Sequence, residues 1–486
     1  MLNIKALCLS DLHFGSETSV LTAVDPVTLK PDTNRTSPVL ESLVACLKSI
    51  LGHHEGTGKP RLVLAGDALE LALTSTNVAA TVFSRFIQLL MNGAEPPVDA
   101  SIIYIPGNHD HHLWETARES QYATYISNET PHLPLKHAPW HATHLFPWRQ
   151  ELKVKDRNVE SFLLTNLLRY AEYDGDARVL AMYPNFGVMS ADGKSRCTVI
   201  HHGHFTESIY YLMTELRKFV FPGRKEYPEE IWDIEAENYA WIDFLWGTLG
   251  RSGEVGDSMG QVYDMLKSKK ATRRLIDNLA RSIPERFVQS HWTRWITSMV
   301  IRLALRRLLK GVGGMERGVP DRLLSEDSQE RLERYIGHYV RGQLDRECAN
   351  GLPDHLNFVF GHTHKPYEKV LDIKGVDTPV HIYNTGGWVV DTTGTTTRQG
   401  GAIIVIDEDG NVASIRMYNQ EDDASQYRVT VAKADGEGDT PNPLYDRLVE
   451  IIVPDRPPWS EFSERVAVAV DERHRNMQEV IRRASA

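Results

Sequence analysis

The sequence predicts a layered α/β fold, and three observations carry that prediction. Short apolar, β-rich runs recur along the chain, amphipathic helical patterns fill the gaps, and each run stops abruptly at a cluster of polar residues. Continuous apolar runs of about 4–6 residues mark strands buried on both faces. Strand–helix alternation implies βαβ units, and in such sheets ligand chemistry gathers just beyond the carboxyl ends of the strands.

Residues 4–9 lead into Ser10-Asp11-Leu12-His13, and residues 61–65 into Gly66-Asp67. Residues 101–105 lead into Pro106-Gly107-Asn108-His109-Asp110, residues 198–200 into His201-His202-Gly203-His204, and residues 357–360 into Gly361-His362-Thr363-His364. Between the first runs, Leu40, Leu43, Val44 and Leu47 line one helical face, with Ser37 as cap and Pro38 in the first turn. Val78, Val82, Phe83, Phe86, Ile87 and Leu90 line a second, closed by Gly93. Residues 205–352 hold no convincing strand and read as helix. Strand character returns over 379–418, and the chain turns polar after about 420, with a proline-rich break at 454–458 and a helical tail from about Glu461. This divides the chain into a core in two parts, 1–204 and 353–420, a helical insertion at 205–352 that is a candidate cap, and a C-terminal tail at 421–486.

The chain has 486 residues, 41% hydrophobic and 24% charged, an ordinary globular composition that allows a sizeable core. A formal net charge of −11 argues against a generally basic nucleic-acid coat. Cys8, Cys46, Cys197 and Cys348 are far apart with no C-x-x-C pair, which disfavours a disulfide framework or structural zinc and favours a reduced, cytoplasmic setting. The N-terminus lacks signal-peptide architecture, and no apolar stretch reaches the roughly 18 residues of a spanning helix. Gly56-Thr57-Gly58-Lys59 lacks the five-residue lead of a phosphate-binding loop.

The side chains at the strand ends form a metal-ligand set: Asp11, His13, Asp67, Asn108, His109, His202, His362 and His364. Mixed carboxylate, imidazole and amide donors suit divalent manganese, iron, cobalt, nickel or zinc, with manganese the first expectation. In Asp11-x-His13 and His362-x-His364 a spacing of two puts both side chains on one side of an extended segment. Asp67 follows a glycine that permits a sharp turn, so its carboxylate can bridge two ions. Two metals about 3.5–4 Å apart would hold a bridging hydroxide and polarise a phosphoryl group, and a neighbouring histidine would protonate the leaving oxygen. His201, His202 and His204 compete for one ligand position.

In this order the motifs D-x-H, G-D, G-N-H-D, H-G-H and G-H-T-H resemble those of the calcineurin-like metallophosphoesterases. The segment Tyr383-Asn384-Thr385-Gly386-Gly387-Trp388 resembles the strand that follows the last motif. The resemblance covers roughly residues 1–204 and 353–418. It implies a four-layer α-β-β-α sandwich, two mixed sheets face to face with helices outside. It also implies one metal held by Asp11, His13, Asp67 and His364, and a second held by Asp67, Asn108, His202 and His362. His109 would be the phosphate-contacting acid and Asp110 would orient its ring. Apart from the resemblance, Glu70, three residues after Asp67, reads as supporting the site from behind or as a salt bridge at the core edge.

Twelve basic residues between Lys267 and Lys310 face two acidic ones, a local net of +10 that leaves −21 for the remainder. Trp292, Trp295, Ile296, Met299, Val300 and Leu303 share a helical face within that segment. It reads as a cap for an anionic or lipid-like substrate, a surface for anionic membranes, a nucleic-acid dock, or a solvated helical insertion. The function expected is a metal-dependent phosphoesterase that hydrolyses a phosphorylated substrate, a phosphomonoester or phosphodiester. The alternatives are a nucleotide-sugar or lipid pyrophosphohydrolase or a nuclease that holds its substrate with the insertion, and a catalytically weak regulatory metal-binding module.

Overall fold

The structure, a computed structural model, describes residues 2–93, 95–131, 133–135, 141–147, 159–171, 177–221, 223, 226–248, 277, 298–299, 322–435 and 441–484. Within the basic segment only Asp277, Ser298 and Met299 are among them, so the cap, membrane and nucleic-acid readings of 267–310 lie outside the described residues.

The first sheet is built on β1 (Ile4–Leu9), β2 (Arg61–Leu64) and β3 (Ser101–Tyr104), which run parallel to one another. β4 (Val159–Glu160) and β5 (Arg178–Ala181) extend it on one side, and β11 (Gly400–Asp407), β12 (Val412–Asn419) and β13 (Thr430–Ala432) extend it antiparallel on the other, in the order β13-β12-β11-β1-β2-β3-β5-β4. The second sheet runs β6-β7-β8-β10-β9, from Asn185–Met189, Arg196–His201, His355–Phe360, Val380–Asn384 and Tyr367–Leu371 respectively. Its β7, β8 and β10 are parallel and its edges antiparallel.

Alternation along each strand decides the layers. Ala6 and Cys8 of β1 and Val63 of β2 pack against Phe186 and Val188 of β6, Ile200 of β7 and Val359 of β8, the core between the sheets. Leu7 and Leu9 face the other way, onto α1 (Pro38–Leu51) and α2 (Thr76–Met91). The outer face of the second sheet, with Cys197, Val199 and Phe358, is covered by Ile231 and Ile234 of α3 (Ile231–Ile242) and by the helical stretch from Glu326 to Glu347. The result is the four-layer sandwich of two mixed sheets with helices outside.

The short strands β5 and β6, joined through Tyr183-Pro184, carry too few residues for a clear sequence pattern. No described helix is long and apolar enough to cross a membrane. The segment set apart as a tail joins the first sheet through β13 and closes it from outside with the last helix, Trp459–Ala484, numbered here αC. Trp459, Phe462, Val466 and Val470 of αC share a core with Leu40, Leu43 and Leu47 of α1.

Further along αC, the buried Arg473 donates to the carbonyls of Ser19 (Nε, 3.2 Å) and Thr22 (Nη2, 2.6 Å), tying the helix to the loop that follows Asp11 and His13. Hydrogen bonds from a charged donor contribute about 1.5–3 kcal/mol. Arg473→Met leaves both carbonyls without this partner and should lower unfolding free energy by about that much, as measured by urea denaturation.

Candidate metal centre

The ligand loops meet because β1 and β2 stay in register past their ends. The amides of Asp11, His13 and Phe14 donate to the carbonyls of Gly66, Asp67 and Ala68 at 2.9, 2.9 and 3.0 Å. Across the gap between sheets, the His362 amide donates to Asp11 Oδ2 at 2.9 Å, and Gly66 lies so close to His202 that a Cβ there would sit 2.3 Å from the imidazole. Asp11, His13, Asp67, His362 and His364 all adopt left-handed backbone, with φ of 51°, 44°, 48°, 67° and 59°. Such conformations cost of the order of 1–3 kcal/mol for a residue other than glycine and cluster where function holds them.

The side chains converge as three overlapping buried groups: Asp11, His13 and His364; His13, Asp67 and His109; and Asp67, His202 and His362. Asp67 Oδ2 stands 3.7 Å from His13 Nε2 and 3.4 Å from His202 Nε2, and Asp11 Oδ1 stands 3.3 Å from His364 Nε2. On the second side, His202 Nε2 lies 3.0 Å from Asn108 Oδ1 and 3.3 Å from His362 Nδ1. Of the three histidines in His201-His202-Gly203-His204, His202 is the one in the cluster. His201 Nδ1 accepts from the Gly203 amide at 2.7 Å, and His204 stacks on Phe205 with ring centres 4.4 Å apart.

What the rings do with their other nitrogen is the test of whether they fit a metal. His13 Nδ1 and His109 Nδ1 each donate to Glu70, to Oε2 and Oε1 respectively, both at 2.9 Å. His364 Nδ1 donates to Asp391 Oδ2 at 2.6 Å, and His202 Nδ1 to the Ala65 carbonyl at 3.1 Å. An acceptor-only partner places the proton on Nδ1, so Nε2 carries a lone pair aimed inward. This is how metal-binding imidazoles are oriented. His13 Nε2 and His109 Nε2 are buried without a hydrogen-bond partner. The donor set therefore fits divalent ions, with Asp11, His13, Asp67 and His364 able to hold one and Asp67, Asn108, His202 and His362 a second.

Asp110 does something other than orient the His109 ring. Its carboxylate accepts from the backbone amides of Gly107 (2.7 Å), Ala68 (2.8 Å), Leu69 (3.2 Å) and Asp67 (3.3 Å), which pins the Asp67 loop to the Asn108 loop. The ring-orienting carboxylate is Glu70, because it follows Asp67 by three residues and reaches both His13 and His109. Burial and the nearby Asp67 charge raise Asp110 to about 6, although its amide donors pull the other way.

Residues 4–234 match the family model for calcineurin-like phosphoesterases. Over that span, a little under half of its length, the chain is similar to this family. The match ends before Gly361-His362-Thr363-His364, which the parallel pairing of β8 with β7 brings to the same centre of the phosphoesterase. A comparison with curated proteins finds no match.

Four contributors to the phosphoesterase site carried no sequence signal. Asp391, 27 residues after His364, holds its ring. Glu207 Oε1 lies 3.6 Å from His362 Nε2. Trp246 stacks on the His109 ring at 4.3 Å with 29° between planes, and Asp243, a turn earlier, lies 3.6 Å from His112 Nδ1 and 3.9 Å from that of the buried His111. None follows a strand end or belongs to a motif.

These roles separate two carboxylates experimentally. Glu70→Gln, which keeps Oε1 for the Ala72 and Leu73 amides and His109 but sets an N–H donor against His13 Nδ1, should lower metal affinity or activity by about 10–100-fold with little change in melting temperature. Asp110→Asn should act first on stability, by about 1–3 kcal/mol in denaturant titration, because an amide cannot accept from four amides at once.

Proposed function

We propose that the protein hydrolyses a phosphomonoester or phosphodiester, with His109 protonating the leaving oxygen. The family match and the buried His/Asp groups together support a metal-dependent phosphoesterase. The observation that carries the finer reading is His109. Its Nδ1 is held by Glu70 and its buried Nε2 has no hydrogen-bond partner; although it lies within reach of His13 and Asp67, each of the two proposed ions keeps four donors without it. A ring so oriented is available for proton transfer at Nε2.

Divalent ions bound by Asp11, His13, Asp67, Asn108, His202, His362 and His364 would supply Lewis acidity and a water deprotonated near neutral pH. Manganese is the ion we propose first, on the mixed oxygen and nitrogen donors. The chain's own contribution is positional. Asp67 links both halves of the ligand set, and Asp110 fixes the loop on either side of it. Glu70 locks the tautomer of His13 and His109, and Trp246 covers the His109 ring. The acid form of His109 is the doubly protonated ring: Nδ1–H stays on Glu70, and as the P–O bond to the alcohol breaks the leaving oxygen takes the proton on Nε2, which leaves the neutral Nδ1–H ring. The proposal keeps a cytoplasmic setting, from four widely spaced cysteines.

His109→Asn should retain metal content by elemental analysis yet lower kcat by about 10²–10⁴-fold, the usual contribution of a general acid. The loss should shrink for aryl phosphates, whose leaving groups need less protonation. Equal losses across leaving groups would assign His109 another role. Asp67→Ala should instead remove most of the bound metal, since it takes a donor from both sites at once.

A further inference from the structure

Beside the centre lies a cleft of about 380 Å³ whose lining includes His13, His109 and His364 together with Met477, Val480 and Ile481 of αC. The inner stripe of αC explains why those residues are there. Phe462, Val466, Val470 and Arg473 face the core at helical spacing, and Met477, Val480 and Ile481 continue the same stripe by steps of four and three. The stripe outruns the core: Val480 is 44% and Ile481 54% exposed, and Leu73, from the loop after Glu70, is 55% exposed on the same cleft. Apolar side chains on a core-facing stripe, left open beside a catalytic histidine, are a surface for a ligand.

The charges of the cleft say what kind of ligand. Glu17, Glu70 and Asp391 line it, and Arg473 is its one lysine or arginine among the described residues. That guanidinium is already committed to the carbonyls of Ser19 and Thr22. Among the described lining residues a second phosphate would meet carboxylates and no uncommitted cation, and the nearby Lys30 is paired with Glu17 at 2.8 Å, which disfavours a polyanionic chain or a pyrophosphate along this wall.

We propose that the outer end of αC is the substrate-recognition wall of the active site and takes the organic group of a phosphoester of an uncharged, apolar alcohol, alkyl or aryl. The inference rests on the phosphoesterase reading above and deepens it. The phosphoryl group sits at the histidine end of the cleft, and the alcohol lies along Leu73, Met477, Val480 and Ile481. Arg473 holds the wall at its distance from His13 through the Ser19–Thr22 loop.

The test pairs binding with turnover on the manganese-loaded full chain. Calorimetry with alkylphosphonates from methyl to hexyl should show affinity rising about three- to fourfold per methylene over the first carbons, the effect of burying one CH₂ group. Hydrolysis of the matching alkyl phosphates should show kcat/KM rising in parallel. Val480→Asp with Ile481→Asp should flatten both series, whereas Val468→Asp, 60% exposed elsewhere on αC, should leave the slopes as they are. A flat series in the natural protein, or slopes unchanged in the double variant, overturns the proposal. Tighter binding of a diphosphate than of hexylphosphonate overturns it as well. A rising phosphonate series with no turnover of any phosphoester supports the wall and retires the phosphoesterase reading instead.

Discussion

Asp11 and Asp67 are wholly buried at the ends of adjacent parallel strands, and much of the architecture follows from having to accommodate them. An uncompensated carboxylate in an apolar interior costs several kcal/mol or more, so such groups persist only with opposite charge or strong donors close by. Here imidazoles crowd around them from both sheets, and five residues of the cluster hold left-handed backbone to do so. A second circle of acceptors, Glu70, Asp391 and the Ala65 carbonyl, turns four of the rings so that Nε2 points inward. Inward lone pairs do nothing to neutralise the carboxylates. They make sense as donors to cations, which would in turn balance the buried negative charge.

The face-to-face packing of the two sheets serves that requirement. Each sheet alone offers half a ligand set: Asp11, His13, Asp67 and Asn108 from the first, His202, His362 and His364 from the second. The inter-sheet core of small and branched residues such as Ala6, Cys8, Val63 and Val359 lets the strand ends approach. The link is direct at Gly66, where any side chain would strike His202. The Asp67 loop and the Asn108 loop are joined by Asp110, whose four amide partners account for its burial better than a role on His109.

How much of this was legible in the sequence depended on whether a residue's role is local. Strand ends and the helical faces of α1 and α2 could be read, since each depends on a few consecutive residues and on the period of the backbone. The pairs Asp11/His13 and His362/His364 do meet, but not on the extended segments expected, because all four residues hold left-handed backbone. Glu70 was legible as a supporting residue because it follows Asp67 closely, but its reach to two rings was not. The exchange of roles between Glu70 and Asp110 could not be read, since both carboxylates sit within a few residues of the motif and only the fold shows which one meets imidazoles and which meets amides. Asp391, Glu207 and Trp246 left no trace, because their contacts span insertions or loops of no fixed length. The place of αC was hidden for another reason. Its amphipathic stripe announces a packed helix, and nothing in the pattern shows that the last two turns overhang the catalytic cleft.

The account stands or falls on two ions sharing Asp67. Crystals grown with manganese and measured on both sides of the manganese absorption edge would locate them directly. The account predicts two anomalous peaks about 3.5–4 Å apart, both in contact with Asp67, one beside Asp11, His13 and His364 and the other beside Asn108, His202 and His362. A single peak away from Asp67, or no peak at this cluster from protein saturated with manganese, would contradict it.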